Sequence, residues 1–178
     1  MQRSRYVTLL FVVSSLALPG DAGAQAKSDF ASTEAAVPPA PNASENYPLS
    51  YTGGAPAPIA AALDPDDSTY NRVVSCGGLS GVGTAVFYDT VSITNNSLGT
   101  ATIVAETSDV GTPGACAVDT FLTAYAPTFN AASPLTGCVA ADDDSGPSFC
   151  SRVTFDVPKG GTAVLVATSF GNGSTFLY

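Results

Sequence analysis

The chain has 178 residues, with 15 acidic against 6 basic residues, a net charge of −9 and no histidine. The missing imidazole excludes Ser-His-Asp and Cys-His nucleophile systems within this chain. With no CxxC either, a zinc or thioredoxin-like site is unsupported, and so acidic a surface repels nucleic acid and anionic membrane.

Arg3 and Arg5 precede an apolar run at residues 7–18 (VTLLFVVSSLAL), which Pro19-Gly20 breaks before Ala22-Gly23-Ala24. A basic start, a short apolar run and an A-x-A site describe a signal peptide over residues 1–24, cleaved after Ala24. The run is shorter than the roughly 20 apolar residues that span a bilayer, so no membrane span is expected. Cleavage removes Arg3, Arg5 and Asp21, leaving 14 acidic and 4 basic residues. The mature protein is expected to be periplasmic or extracellular.

Residues 25–58 are dominated by Ala, Pro, Ser, Asn and Gly (VPPAPNASENYPLSYTGGAPAP). Such a segment offers too little apolar surface to offset its ordering entropy, and it reads as a disordered linker. The folded domain is expected over residues 59–178. It opens on Asp64-Pro65-Asp66-Asp67, whose carboxylates suit a capped turn.

Short β-rich runs then follow, separated by Gly, Asn, Pro and Asp. They lie at residues 71–75, 85–94 (AVFYDTVSIT), 100–107 (TATIVAET), 119–125 (DTFLTAY) and 138–141 (CVAA). In residues 152–157 (RVTFDV), Val153, Phe155 and Val157 alternate with polar residues, the mark of a half-buried strand. Residues 162–170 (TAVLVATSF) are apolar on both parities and read as central, and 175–178 form a last short run. About eight strands with regular turn signals indicate an all-β, jelly-roll-like antiparallel β-sandwich.

Antiparallel pairing of 119–125 with 138–141 brings Asp119 beside Asp142, Asp143 and Asp144. Hard cations such as Ca²⁺ are held by clustered carboxylates on tight turns. The DDDSG run is no EF-hand loop, because Val153 stands eleven residues after Asp142, where a glutamate is required. Asp89 shares the parity of Val91 and Ile93, so it faces the core or serves an ion at a strand mouth. The metal-ligand candidates are therefore Asp89, Asp119, Asp142, Asp143 and Asp144, with Ca²⁺ as the ion. The competing reading is an Asp-rich turn.

Four cysteines in an exported chain indicate two disulfides. Spacing does not choose among the three pairings. The hairpin places Cys116 and Cys150 at the acidic end and Cys138 at the other, which favours Cys116–Cys150 with Cys76–Cys138.

The runs DTFLTAYAPTFN (119–130), CVAADDDSG (138–146) and SRVTFDVPKGGTAVLVATSFGNG (151–173) together resemble the bacterial pre-peptidase C-terminal domain. That family's D-x-x-L-x-x-Y strand matches Asp119, Leu122 and Tyr125, and its strand-end DD matches Asp142 and Asp143. Tyr88–Thr94 is similar to its D-x-Y-x-F strand, with Asp89 in the Asp position. The resemblance implies a secreted sandwich that aids secretion or attachment and binds calcium in some members. This chain departs from it in carrying no peptidase domain and in having four cysteines.

The reading that follows is an exported, non-enzymatic β-sandwich, monomeric, that binds a protein or glycan at a cell surface and is stabilised by calcium. One alternative is a glycan-binding or adhesin-like surface protein, and a more remote one is a hydrolase using paired carboxylates.

Overall fold

A computed structural model describes residues 10–13, 46–53, 59–109 and 114–177. The cleavage site and most of the expected linker fall outside the described residues. Thirteen strands make up the described secondary structure: β1 (Leu10–Val13), β2 (Asn46–Tyr51), β3 (Ala62–Leu63), β4 (Thr69–Tyr70), β5 (Val73–Ser75), β6 (Gly78–Leu79), β7 (Val86–Asn95), β8 (Ala101–Glu106), β9 (Thr120–Tyr125), β10 (Cys138–Asp142), β11 (Arg152–Val157), β12 (Thr162–Ser169) and β13 (Phe176–Leu177). Among the described residues no helix is long and apolar enough to cross a membrane.

Two sheets carry the architecture. The larger runs β10-β9-β12-β7-β2, with β4 also paired to β7, and the smaller runs β1-β8-β11. β12 is central, flanked by β9 and β7, as its apolar residues on both parities require. β11 shows a strict exposed–buried alternation, with Val153, Phe155 and Val157 buried. These residues, with Ile103 and Ala105 of β8, meet Val91, Ile93, Leu122, Ala124 and Leu165 of the larger sheet in the main core. The fold is a β-sandwich.

Five strands lie outside the runs expected from sequence: the two-residue β3, β4 and β6, and two in segments expected to play other roles. Residues 46–51, read as linker on composition, form β2 and pair with β7 in parallel, Tyr47 opposite Val91 and Leu49 opposite Ile93. Tyr47, Leu49 and Tyr51 alternate and pack on the main core, a period-two signal that the surrounding Pro and Ala mask. Pro48 is tolerated because β2 is an edge strand. Leu10–Val13, inside the expected signal peptide, pairs with β8, Leu10 opposite Glu106 and Val13 opposite Ile103.

The outer face of the larger sheet holds a second, smaller core. Tyr70, Val86, Tyr125 and Val166 are buried there, with Tyr88 and Phe129 packed against them. The chain from β4 to β6 lies over this face and is fastened by a disulfide between Cys76 and Cys138. The other disulfide joins Cys116 to Cys150. In chain order the two bridges interlace, each enclosing one end of the other.

Candidate metal centre

β9 and β10 pair antiparallel with Ala141 opposite Thr123 and Asp142 opposite Leu122. Residues in such a register share a side of the sheet. Asp142 therefore shares the inner side with Leu122, whereas Asp143 and Asp119 extend the outer row of Phe121, Thr123 and Tyr125. One carboxylate oxygen from each of Asp119, Asp143 and Asp144 lies within 4.8 Å of the others.

The scaffold around this group is tightly tied. Asp119 accepts a bond from the Phe170 amide at 2.9 Å through its backbone carbonyl, and the next residue, Thr120, donates its amide to the Phe149 carbonyl. The hydroxyls of Thr107 and Thr120 lie 2.7 Å apart, and the Ser151 amide donates to both at 3.0 Å. All three side chains are buried, so this bonded set joins the two sheets at the acidic end beside the Cys116–Cys150 bridge. The acidic loop closes on itself where the Gly146 amide donates to the Cys150 carbonyl at 2.9 Å. A Cβ at Gly146 would stand 2.6 Å from that carbonyl oxygen, so only glycine fits.

Two of the five expected ligands stand apart. Asp142 is occupied as a turn cap. One of its oxygens accepts from the Ser145 and Arg152 amides at 3.0 and 2.7 Å, and the other accepts from the Ser145 hydroxyl. Asp89 is fully buried and lies opposite Ala167, which pairs with Leu122 on the inner side. It thus faces the main core, with the whole sheet between it and the Asp119 group. Asp89 is therefore not brought together with the other expected ligands.

The residue that sequence reasoning missed is Arg72. It is 1 % exposed, with its guanidinium 4.0 Å from the Phe121 ring centre and 4.6 Å from that of Phe170. Nε donates to the Phe170 carbonyl and Nη1 to the Val73 carbonyl, each at 2.9 Å. Stacking between aromatic faces favours arginine's planar, weakly hydrated cation. Asp143 and Asp119 are the carboxylates whose charges act on it. The one local hint was an arginine between Tyr70 and the apolar pair Val73-Val74.

The electrostatics of the group follow from this placement. Burial pushes the Asp143 carboxyl up to about 6, and the charges of Asp119 and Asp144 add to the rise while Arg72 opposes it. Asp119 is also raised, by burial first and then by Asp144, with Asp143 and Arg72 acting the other way. Oδ1 of Asp119 and Oδ1 of Asp143 are buried and make no hydrogen bond within the described protein.

Arg72 lies flat against Gly83, where an added Cβ would come within 2.5 Å of Nε and 2.7 Å of Cγ. Gly83→Ala is therefore expected to push Arg72 off its aromatic faces and destabilise the chain by about 1–3 kcal/mol. Urea unfolding followed by tyrosine fluorescence measures it. An unchanged midpoint would show that the guanidinium can shift freely.

No family model matches the chain, and no curated protein or solved structure shows significant similarity to it. The geometry of the site stands on its own.

Proposed function

We propose that this protein is an exported, non-enzymatic β-sandwich that serves in binding or surface attachment, with a calcium ion held by Asp119, Asp143 and Asp144. The observation that carries the reading is the convergence of three carboxylates, two of them with buried oxygens that make no hydrogen bond among the described residues. Buried oxygens without donors are costly unless a cation or water meets them. Three carboxylates supply hard oxygen donors of the type calcium takes, and the exposed Asp144 leaves room for water or a partner's oxygen to complete the shell. Three negative charges beside one buried arginine leave two uncompensated, the charge a divalent cation neutralises. The pre-peptidase C-terminal resemblance, where it covers Asp119 and Asp143, agrees with such an ion. Phe149, 56 % exposed on the same acidic loop, offers an apolar contact beside it for a protein or glycan surface.

Melting of the oxidised chain at pH 7.5, with EDTA and then with added calcium, tests the reading. At a hundredfold excess over Kd, calcium is expected to stabilise by about 2.7 kcal/mol, roughly 10 °C for a domain of this size. No shift would rule the ion out.

The pH dependence carries its own sign. Asp143 has a folded pKa of about 6 against an ordinary 3.8, so the folded chain holds that proton more tightly than the unfolded chain does. Its stabilising contribution is full below the ordinary value and is lost as pH rises through 6. In EDTA the melting temperature of the wild type relative to Asp143→Asn is therefore expected to fall between pH 4.5 and 7. Calcium is expected to restore it at pH 7 and to do little at pH 4.5, where it competes with the proton. A wild-type/variant difference that stays flat with pH would contradict the assignment.

A further inference from the structure

The smaller sheet runs β1-β8-β11, and its first strand lies inside the segment expected to be cleaved on export. Leu10–Val13 pairs antiparallel with β8, Phe11 opposite Ala105 and Val13 opposite Ile103. Ala105 and Ile103 are buried in the main core. Residues opposite one another in such a pair stand on one side of the sheet. The two positions facing Ala105 and Ile103 therefore border that core and call for apolar residues.

Cleavage after Ala24 takes β1 away and leaves β8 with β11 as its one partner among the described strands. A layer of two strands is marginal, and β8 then presents a row of unpaired amides and carbonyls. Its sequence does little to discourage pairing. Ala101–Glu106 (ATIVAE) contains neither Pro nor Lys, the residues that commonly blunt an edge, whereas the edge strand β2 carries Pro48. The one charge of β8, Glu106, is already paired with Arg152. The chain upstream of β2 offers no replacement strand. In residues 25–45 the only large apolar residues are Phe30 and Val37, and Pro38, Pro39 and Pro41 follow them. The strand that completes the layer after cleavage must come from another molecule.

We propose, resting on the exported reading, that the mature protein takes up an extended segment of a partner protein along the β8 edge, in the antiparallel register that Leu10–Val13 shows. The occupant is an apolar strand with large side chains at the alternate positions facing Ala105 and Ile103. Main-chain hydrogen bonds supply its affinity and those two positions its specificity. In the uncleaved chain β1 holds the same place, so cleavage opens the binding edge. Calcium is not required, because no residue of β8 belongs to the carboxylate group.

The probe is a synthetic peptide of residues 8–15 (TLLFVVSS), with a lysine pair appended for solubility, added to the oxidised chain recovered after export. Intact mass fixes where that chain begins. A chain still carrying residues 1–24 would refute the cleavage itself, and the proposal with it. On the chain lacking them, peptide at about ten times its Kd is expected to slow hydrogen exchange of alternate amides in Ala101–Glu106 about tenfold. Phe11→Lys in the peptide, opposite buried Ala105, is expected to weaken binding about tenfold or more. Val12→Lys, opposite Val104, is expected to weaken it less. The full 178-residue chain, with β1 in place, is expected not to take the peptide. Absence of binding to the cleaved chain would overturn the proposal while leaving cleavage intact. Equal binding to both chains, or equal loss from the two lysine peptides, would overturn it as well. A cleaved chain that dimerises through β8 would replace the partner protein with a second copy.

Discussion

Arg72→Ala is expected to destabilise the folded chain by about 3–5 kcal/mol, a large share of the stability of an ordinary domain. Two losses combine. The truncation empties the space between the Phe121 and Phe170 rings, as any large-to-small core change does. It also leaves Asp119 and Asp143 without the cation that opposes their mutual repulsion. Arg72→Met separates the two, because it keeps most of the stem and removes only the charge. The methionine variant is expected to lose less than the alanine variant. Its loss should shrink from pH 7.5 to pH 5, where Asp143 takes up a proton instead. Urea midpoints at the two pH values measure both effects. An alanine variant within about 0.5 kcal/mol of wild type, the range of ordinary surface changes, would show that Arg72 is a bystander.

Opening the Cys76–Cys138 bridge is the second large effect. The bridge closes a separation of 62 residues, and chain entropy alone assigns such a loop about 4 kcal/mol. The bridge also fastens the covering segment, whose contacts with the larger sheet otherwise rest on β4, Arg72 and the Tyr70 cluster. Cys76→Ala combined with Cys138→Ala is expected to lower stability by about 2–4 kcal/mol. Hydrogen exchange should rise first across residues 69–83, while β9, β12 and β7 stay protected. Uniform loss of protection across both sheets would contradict the view that this bridge fastens a covering layer. The Cys116–Cys150 bridge closes a separation of 34 residues at the acidic end, and it is left intact in this variant so that the carboxylate group is not disturbed.

The elements legible from sequence were those whose partners lie close in the chain or whose pattern is strict. Val153, Phe155 and Val157 alternate without interruption, and β11 appears where they predict it. The β9–β10 hairpin follows from two β-rich runs joined by a Pro- and Ser-rich loop, and it sets Asp119 near Asp143 and Asp144. What escaped depends on distant partners. β2 finds β7 some forty residues on, as in Tyr47 opposite Val91. Its three alternating apolar residues are too few to outweigh a Pro- and Ala-rich neighbourhood. Arg72 gains its importance from Phe170, 98 residues away, and no local period announces that. Asp142 and Asp143 are adjacent and chemically identical, yet a strand sends them to opposite faces, so one caps a turn and the other joins the carboxylate group. Asp89 lies on the inner side by the same parity, which its sequence neighbours Val91 and Ile93 already implied.

The interlaced bridges also limit how far the chain can be drawn out. Tension applied at the two ends reaches Cys76, crosses to Cys138 and continues toward the C-terminus, so residues 77–137 never enter the load path. At about 3.5 Å per extended residue, roughly 200 Å of slack is withheld. Even with every strand pulled apart, the oxidised protein stops short of its reduced length by that amount.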